Sequence, residues 1–94
     1  MINYNGEKFN DLIKEKVLVD FYANWCGPCK MLSPILEKVK DDIKIIKVDI
    51  DKYQLLARDY NVMSIPCLIL FDNGKEVRRN VGYIKESELK SFIK

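Results

Sequence analysis

The sequence predicts an α/β sandwich, with helices packed on both faces of a mixed sheet. Three observations predict it. A continuous β-branched and aromatic run, Val17 to Tyr22, reads as a strand covered on both faces, and Ile43 to Val48 reads as a second buried strand. A segment of helical spacing separates them, so they form a parallel βαβ unit with a right-handed crossover. Further on, Cys67 to Phe71 and Glu76 to Val81 flank Asp72-Asn73-Gly74-Lys75. An Asn-Gly between two strands is a strong hairpin signal and makes this last pair antiparallel.

The other elements fall between these. Ile2 to Tyr4 reads as a brief edge strand. Phe9, Leu12 and Ile13 have helical spacing, so a short helix is expected near Glu7 to Glu15, with Asn5 as its N-cap. After the first long strand, Met31, Leu32, Ile35, Leu36 and Val39 mark the inward face of a helix. Pro34 lies too deep in it for a first-turn proline, and a kink is expected there. Tyr53, Leu56, Ala57 and Tyr60 mark another helix, with Asp51 as a candidate cap. Leu89, Phe92 and Ile93 mark the last, for which Lys85 is a poor cap. The order is β-α-β-α-β-α-β-β-α.

Ninety-four residues make one domain, spanning 1–94, with room for one core. A hydrophobic share of 48% and a charged share of 32% are those of a soluble globular chain. The formal net charge is +2, and Arg78-Arg79 and Asp41-Asp42 are short runs that read as solvated surface, so no nucleic-acid partner is expected. No window reaches membrane-spanning length, so no membrane partner is expected. The start, Met1-Ile2-Asn3-Tyr4-Asn5, lacks a signal peptide's basic and apolar regions, and the expected address is the cytoplasm. A monomer is expected. There is no histidine, which removes histidine-assisted nucleophiles and histidine metal ligands. The four glycines are far apart and form no dinucleotide fingerprint.

The chemistry concentrates in Trp25-Cys26-Gly27-Pro28-Cys29-Lys30. Two cysteines three apart at a helix start share one face, close enough for a disulfide. The first meets the positive end of the helix dipole, which favours thiolate over thiol. Pro28 fits the first turn, where its missing N–H has no partner to lose. Cys26 is therefore the candidate nucleophile and the more exposed of the pair. Cys29, one turn in, is the shielded resolving thiol, and the pair supports thiol–disulfide exchange through a mixed disulfide. The competing reading is a structural or zinc-binding pair. Zinc usually takes four ligands, whereas this chain has three cysteines and no second C-x-x-C, so no metal is expected.

Asp20 interrupts a buried apolar run. Burial raises a carboxyl pKa, which suits a proton acceptor near neutral pH; the alternative is a strand-end Asp hydrogen-bonded to a loop. Lys47, inside the second buried strand, reads when taken alone as a lysine snorkelling from a sheet edge. Cys67 reads as a small buried hydrophobe, with a regulatory third thiol or a tuned redox potential as the alternatives.

The segment Val19-Asp20-Phe21-Tyr22-Ala23-Asn24-Trp25-Cys26-Gly27-Pro28-Cys29-Lys30 closely resembles the active-site segment of the thioredoxin family. The likeness continues through Met31 to Leu36, Lys47 to Asp51, Met63-Ser64-Ile65-Pro66, Phe71 to Lys75 and Val81-Gly82, nearly the whole chain. The resemblance implies the thioredoxin fold, a five-stranded sheet in the order 1-3-2-4-5. It implies a protein-disulfide reductase that needs no cofactor beyond its own Cys26–Cys29 disulfide. Its partners would be disulfide-containing proteins and a separate thioredoxin reductase.

Carried over residue by residue, the resemblance makes Asp20 the group that helps deprotonate Cys29, with Lys47 near that carboxylate and tuning it. It makes Ile65-Pro66 a cis-proline loop facing the disulfide, although an X-Pro bond taken alone reads as trans. The backbone of Ile65 would pair with an extended target segment, as an added strand does. Trp25, Gly27, Pro28, Ile65, Pro66, Val81 and Gly82 would form an apolar docking surface around Cys26. Cys67 departs from the family, which commonly has Thr after this proline. Two other readings compete: a disulfide oxidase or isomerase of the same fold, and a non-catalytic binding subunit. The Gly-Pro between the cysteines and the absence of a signal peptide favour the reductase over the first. Retention of both cysteines, Asp20 and Ile65-Pro66 disfavours the second.

Overall fold

The computed structural model describes residues 1–94. Its elements are β1 (Ile2–Asn3), α1 (Phe9–Leu12), β2 (Val17–Tyr22), α2 (Gly27–Glu37), β3 (Lys44–Asp49), α3 (Gln54–Asp59), β4 (Cys67–Asp72), β5 (Lys75–Val81) and α4 (Glu86–Phe92). The five strands form one sheet in the order β1-β3-β2-β4-β5. β1 and β2 both run parallel to β3, while β4 is antiparallel to β2 and β5. This is the thioredoxin fold, and the expected mixed sheet and strand order stand.

Alternation along the central strands explains why their sequences carry apolar residues at both odd and even positions. Val17, Val19 and Phe21 of β2 join Ile46, Val48, Cys67, Ile69 and Phe71 in one buried cluster with Phe9 and Ala57. The residues between them, Leu18, Ile45, Leu68 and Leu70, join Leu32, Leu36, Val39 and Leu89 in a second. Thus α1 and α3 cover one face of the sheet, and α2 and α4 the other. Asp20 lies between Leu18 and Tyr22, on the face that α2 covers.

The hairpin between β4 and β5 turns at Asn73 and Gly74, whose φ values of 58° and 81° both lie in the left-handed region. That is the requirement of a type I′ turn, and it explains the Asn-Gly. The turn is also docked: Asn73 and Gly74 donate their backbone N–H groups to the carbonyls of Lys14 and Ile13, at 3.1 and 2.9 Å.

Several local expectations need correction. α1 is a single turn, Phe9–Leu12, rather than a helix over 7–15, and Lys8 rather than Asn5 occupies its N-cap position. The reason lies just before it. Gly6 is left-handed at φ +84°, and the backbone N–H of Asn5 donates to the Glu7 carboxylate, so this stretch is a turn. Met31 is 61% exposed rather than inward-facing. The buried stripe of α2 runs through Cys29, Leu32 and Leu36, and Met31 lies about 100° around the helix from Leu32. Asp51 does not cap α3 with its side chain; Tyr53 holds that position without a side-chain bond. α4 likewise has no side-chain cap at Lys85, and Glu86 and Glu88 in its first turn answer the helix dipole instead.

Candidate active site

The site forms where β2 ends and α2 begins. Cys26 is the N-cap of α2 and Pro28 stands in its first turn. The Cα atoms of Cys26 and Cys29 are 5.2 Å apart, and their sulfurs are joined in a disulfide. The backbone N–H of Cys29 donates to Cys26 Sγ at 3.2 Å. The capping role that a Ser or Asp oxygen usually plays is therefore taken by sulfur. A negative charge on that sulfur would face the amide and the positive helix end together, which favours the thiolate.

One expectation about this pair does not hold. Cys26 is 4% exposed and Cys29 7%, so in the disulfide form the first cysteine is not the more open one. Both pack with Ala23 in a small cluster flanked by Tyr22, Ile50 and Ile65. The capping bond explains the difference, because it turns Cys26 Sγ inward toward the helix amides. Its neighbours Trp25, Gly27 and Pro28 are exposed, so the pair lies just beneath the surface.

Asp20 is buried, and its Oδ1 has no hydrogen-bond partner. Burial pushes its carboxyl up to about 6, against a smaller opposing pull from the Lys47 ammonium. Asp20 and Lys47 are register partners across β2 and β3. Lys47 is half-buried, and its Nζ lies 4.6 Å from the centre of the Tyr22 ring, a cation–π contact. A small cavity of about 120 Å³ opens beside Cys29, lined by Tyr22, Asn24, Lys30, Ser33 and Lys47 among others. Lys47 thus borders both the buried carboxylate and the space next to the second sulfur.

The peptide bond Ile65-Pro66 is cis. Ile65 packs against the cysteine cluster, and Pro66 is buried. The carbonyl of Pro66 accepts a hydrogen bond from the N–H of Gly82 at 2.7 Å, and Val81 pairs with Cys67. The proline loop and the end of β5 are therefore tied together, with Val81 exposed. Trp25 is 69% exposed, and its indole N–H donates to Asp51 Oδ2 at 2.9 Å.

Cys67 lies elsewhere. It is buried in the cluster under α1 and α3, on the opposite face from Asp20, and burial pushes its thiol up. No group of three or more His, Cys, Asp or Glu side chains is placed to hold a metal ion. No helix of the chain is long and apolar enough to cross a membrane.

This geometry can be set beside that of known proteins. The family model for thioredoxin matches residues 1–94. The chain belongs to the thioredoxin family. A thioredoxin of Chlamydia trachomatis is 50% identical over 91 residues, covering 93% of this chain and 89% of that one. A thioredoxin of Mycoplasmoides gallisepticum is 47% identical over 83 residues, covering 85% and 83%. Among solved structures, a mutant thioredoxin from Halobacterium salinarum superposes with a TM-score of 0.91 at 39% identity, covering 98% of this chain and 86% of that one. As a thioredoxin-family member with its cysteine pair intact, the chain is a thiol–disulfide oxidoreductase, and Cys26–Cys29 is its redox centre.

Asp51 is the residue that sequence reasoning misplaced. Read as a helix cap, it is instead the anchor of the exposed tryptophan. Only its position three residues beyond Val48, where a strand end meets the site, hinted at this.

Proposed function

We propose that the chain reduces disulfides in target proteins, with Cys26 as nucleophile and Cys29 as resolving thiol. The observation that carries this reading is the capping bond from the Cys29 amide to Cys26 Sγ. It stabilises negative charge on one sulfur of the pair and leaves the other to close the ring. The Cys26 thiolate attacks one sulfur of a target disulfide, a mixed disulfide forms, and the first target thiolate leaves. Cys29 then gives up its proton and attacks Cys26 Sγ. The second target thiolate leaves, and Cys26 and Cys29 are joined. Electrons return from a separate thioredoxin reductase, and the working address is the cytoplasm.

Asp20 is the acceptor assigned to the Cys29 proton. Its carboxyl, raised to about 6, is ionised at neutral pH yet basic enough to take a proton. The Lys47 ammonium on the neighbouring strand favours that charge, against the larger effect of burial. Targets dock across Trp25, Gly27, Pro28, Ile65, Pro66, Val81 and Gly82, pairing with the backbone at Ile65 as an added strand.

The test uses two variants. Cys26→Ser abolishes insulin reduction, and Cys29→Ser accumulates a mixed disulfide with the target. Full turnover in either variant defeats the assignment. The direction of the reaction is checked by equilibrating Cys26–Cys29 with a glutathione or dithiothreitol buffer. A strongly oxidising midpoint would favour an oxidase or isomerase instead.

A further inference from the structure

The chain has three cysteine and three methionine sulfurs, and their environments differ sharply. In the disulfide form Cys26 and Cys29 hold each other, and Cys67 is buried with its thiol pushed toward the protonated, unreactive form. The sulfurs open to solvent are the thioethers. Met1 is 41% exposed, Met31 61% and Met63 91%.

Met63 stands out by position as well. It directly precedes Ser64-Ile65-Pro66, the loop that packs on the cysteine pair. It also lines a surface groove of about 350 Å³ with Ile50, Asp51, Ala57 and Val62. Asp51 in that groove holds the Trp25 indole, and Ile50 flanks the cysteine cluster. Met63 is thus an apolar, flexible side chain beside the site, sharing a groove with the Asp51 that holds Trp25.

We infer that Met63 is a peroxide-sensitive modification site whose oxidation weakens docking of protein targets and leaves the disulfide chemistry intact. The inference rests on the docking face described under the proposed function. The step is a simple oxygen transfer. A lone pair on Met63 Sδ attacks one oxygen of hydrogen peroxide, the O–O bond breaks, an S–O bond forms, and water leaves after proton transfer. The sulfur loses an electron pair and the peroxide gains it. The product sulfoxide is polar and chiral where the thioether was apolar, so the groove rim no longer offers the same surface to an apolar segment. Neither cysteine is touched, and the redox centre retains its chemistry.

The experiment treats the disulfide form with hydrogen peroxide, removes the peroxide, reduces the protein, and follows single-turnover reduction of two substrates. Insulin requires a docking face, whereas the small disulfide dithiobis-nitrobenzoate does not. Peptide mass spectrometry is expected to find the sulfoxide at Met63 earlier than at Met1. The second-order rate constant with insulin falls several-fold, and that with the small disulfide is unchanged. The effect of peroxide persists in Met31→Leu and disappears in Met63→Leu. Met63→Gln, which places a polar group there without peroxide, reproduces the loss. Equal slowing of both substrates, oxidation of Met63 no faster than Met1, or a peroxide effect surviving in Met63→Leu would overturn the inference. Untreated protein that reduces neither substrate would instead defeat the reductase reading beneath it.

Discussion

The indole N–H of Trp25 donates to the carboxylate of Asp51 across the mouth of the site, joining the loop before α2 to the loop after β3. Both side chains are exposed, so the bond serves to orient the tryptophan rather than to bury it.

Asp51→Ala therefore frees the ring without disturbing the core. An exposed neutral-to-charged hydrogen bond contributes on the order of 1 kcal/mol, so KM for insulin should rise by up to about tenfold with kcat retained. Trp25 is the one tryptophan in the chain, and its fluorescence anisotropy reports the change directly. Anisotropy that stays at the wild-type value would show the ring is held by something else.

Asp20 makes stability depend on pH. Its folded carboxyl titrates at about 6, raised by burial from an ordinary value of 3.8. Between these two values the unfolded chain has lost the proton and the folded chain still holds it. Stability therefore falls as pH rises through that window and stays reduced above it. A shift of this size corresponds to about 3 kcal/mol at neutral pH. Asp20→Asn should remove the slope, so its advantage over wild type in urea unfolding grows from pH 4 to pH 7. A constant difference across that range would mean the carboxyl is not raised.

The same substitution should slow the resolving step. Without a carboxylate to take the Cys29 proton, mixed-disulfide breakdown loses its acid limb near pH 6 and follows the cysteine thiol instead. Stopped-flow rates between pH 5 and pH 9 read this out. An unchanged profile would remove Asp20 from the proton path.

Cys67 points away from this chemistry, into the cluster under α1 and α3. Cys67→Ala should leave the midpoint of Cys26–Cys29 in a dithiothreitol buffer where it was, and cost about 1 kcal/mol of stability through lost packing. In folded protein Cys67 should also resist alkylation. A shifted midpoint would restore the third thiol as a tuning group.

Gly74 tests the hairpin. Its φ is +81° and an added methyl meets nothing within 4 Å, so Gly74→Ala isolates the backbone cost of the left-handed conformation. Roughly 1 kcal/mol of destabilisation is expected by thermal or urea unfolding, with insulin reduction unaffected.

The residues show why some of this structure was readable in the sequence and some was not. β2 and β4 are buried on both faces and almost wholly apolar, and β3 buries Ile45, Ile46 and Val48, so their positions were plain. Asn73-Gly74 declared its turn because few other pairs accept two positive φ values. The cysteine pair was legible for a similar reason: spacing and helix start together dictate its geometry. Short helices were harder. α1 is one turn held by Phe9 beneath it, and its ends depend on Gly6 and on packing rather than on propensity. Met31 was misplaced because a stripe of neighbouring apolar residues leaves its own edge ambiguous by one position. Asp51 was misplaced because its partner is 26 residues away in the chain, and local spacing carries no trace of such a bond. The cis bond at Ile65-Pro66 became expected only through the family resemblance, since local sequence favours trans.

The sulfur that caps α2 is also the one assigned the attack on targets. The Cys29 amide donates to it while it already shares a bond with another sulfur, so a bond to a target's sulfur leaves the same lone pairs turned to the helix. The start of α2 therefore need not be rebuilt between one half of the cycle and the other.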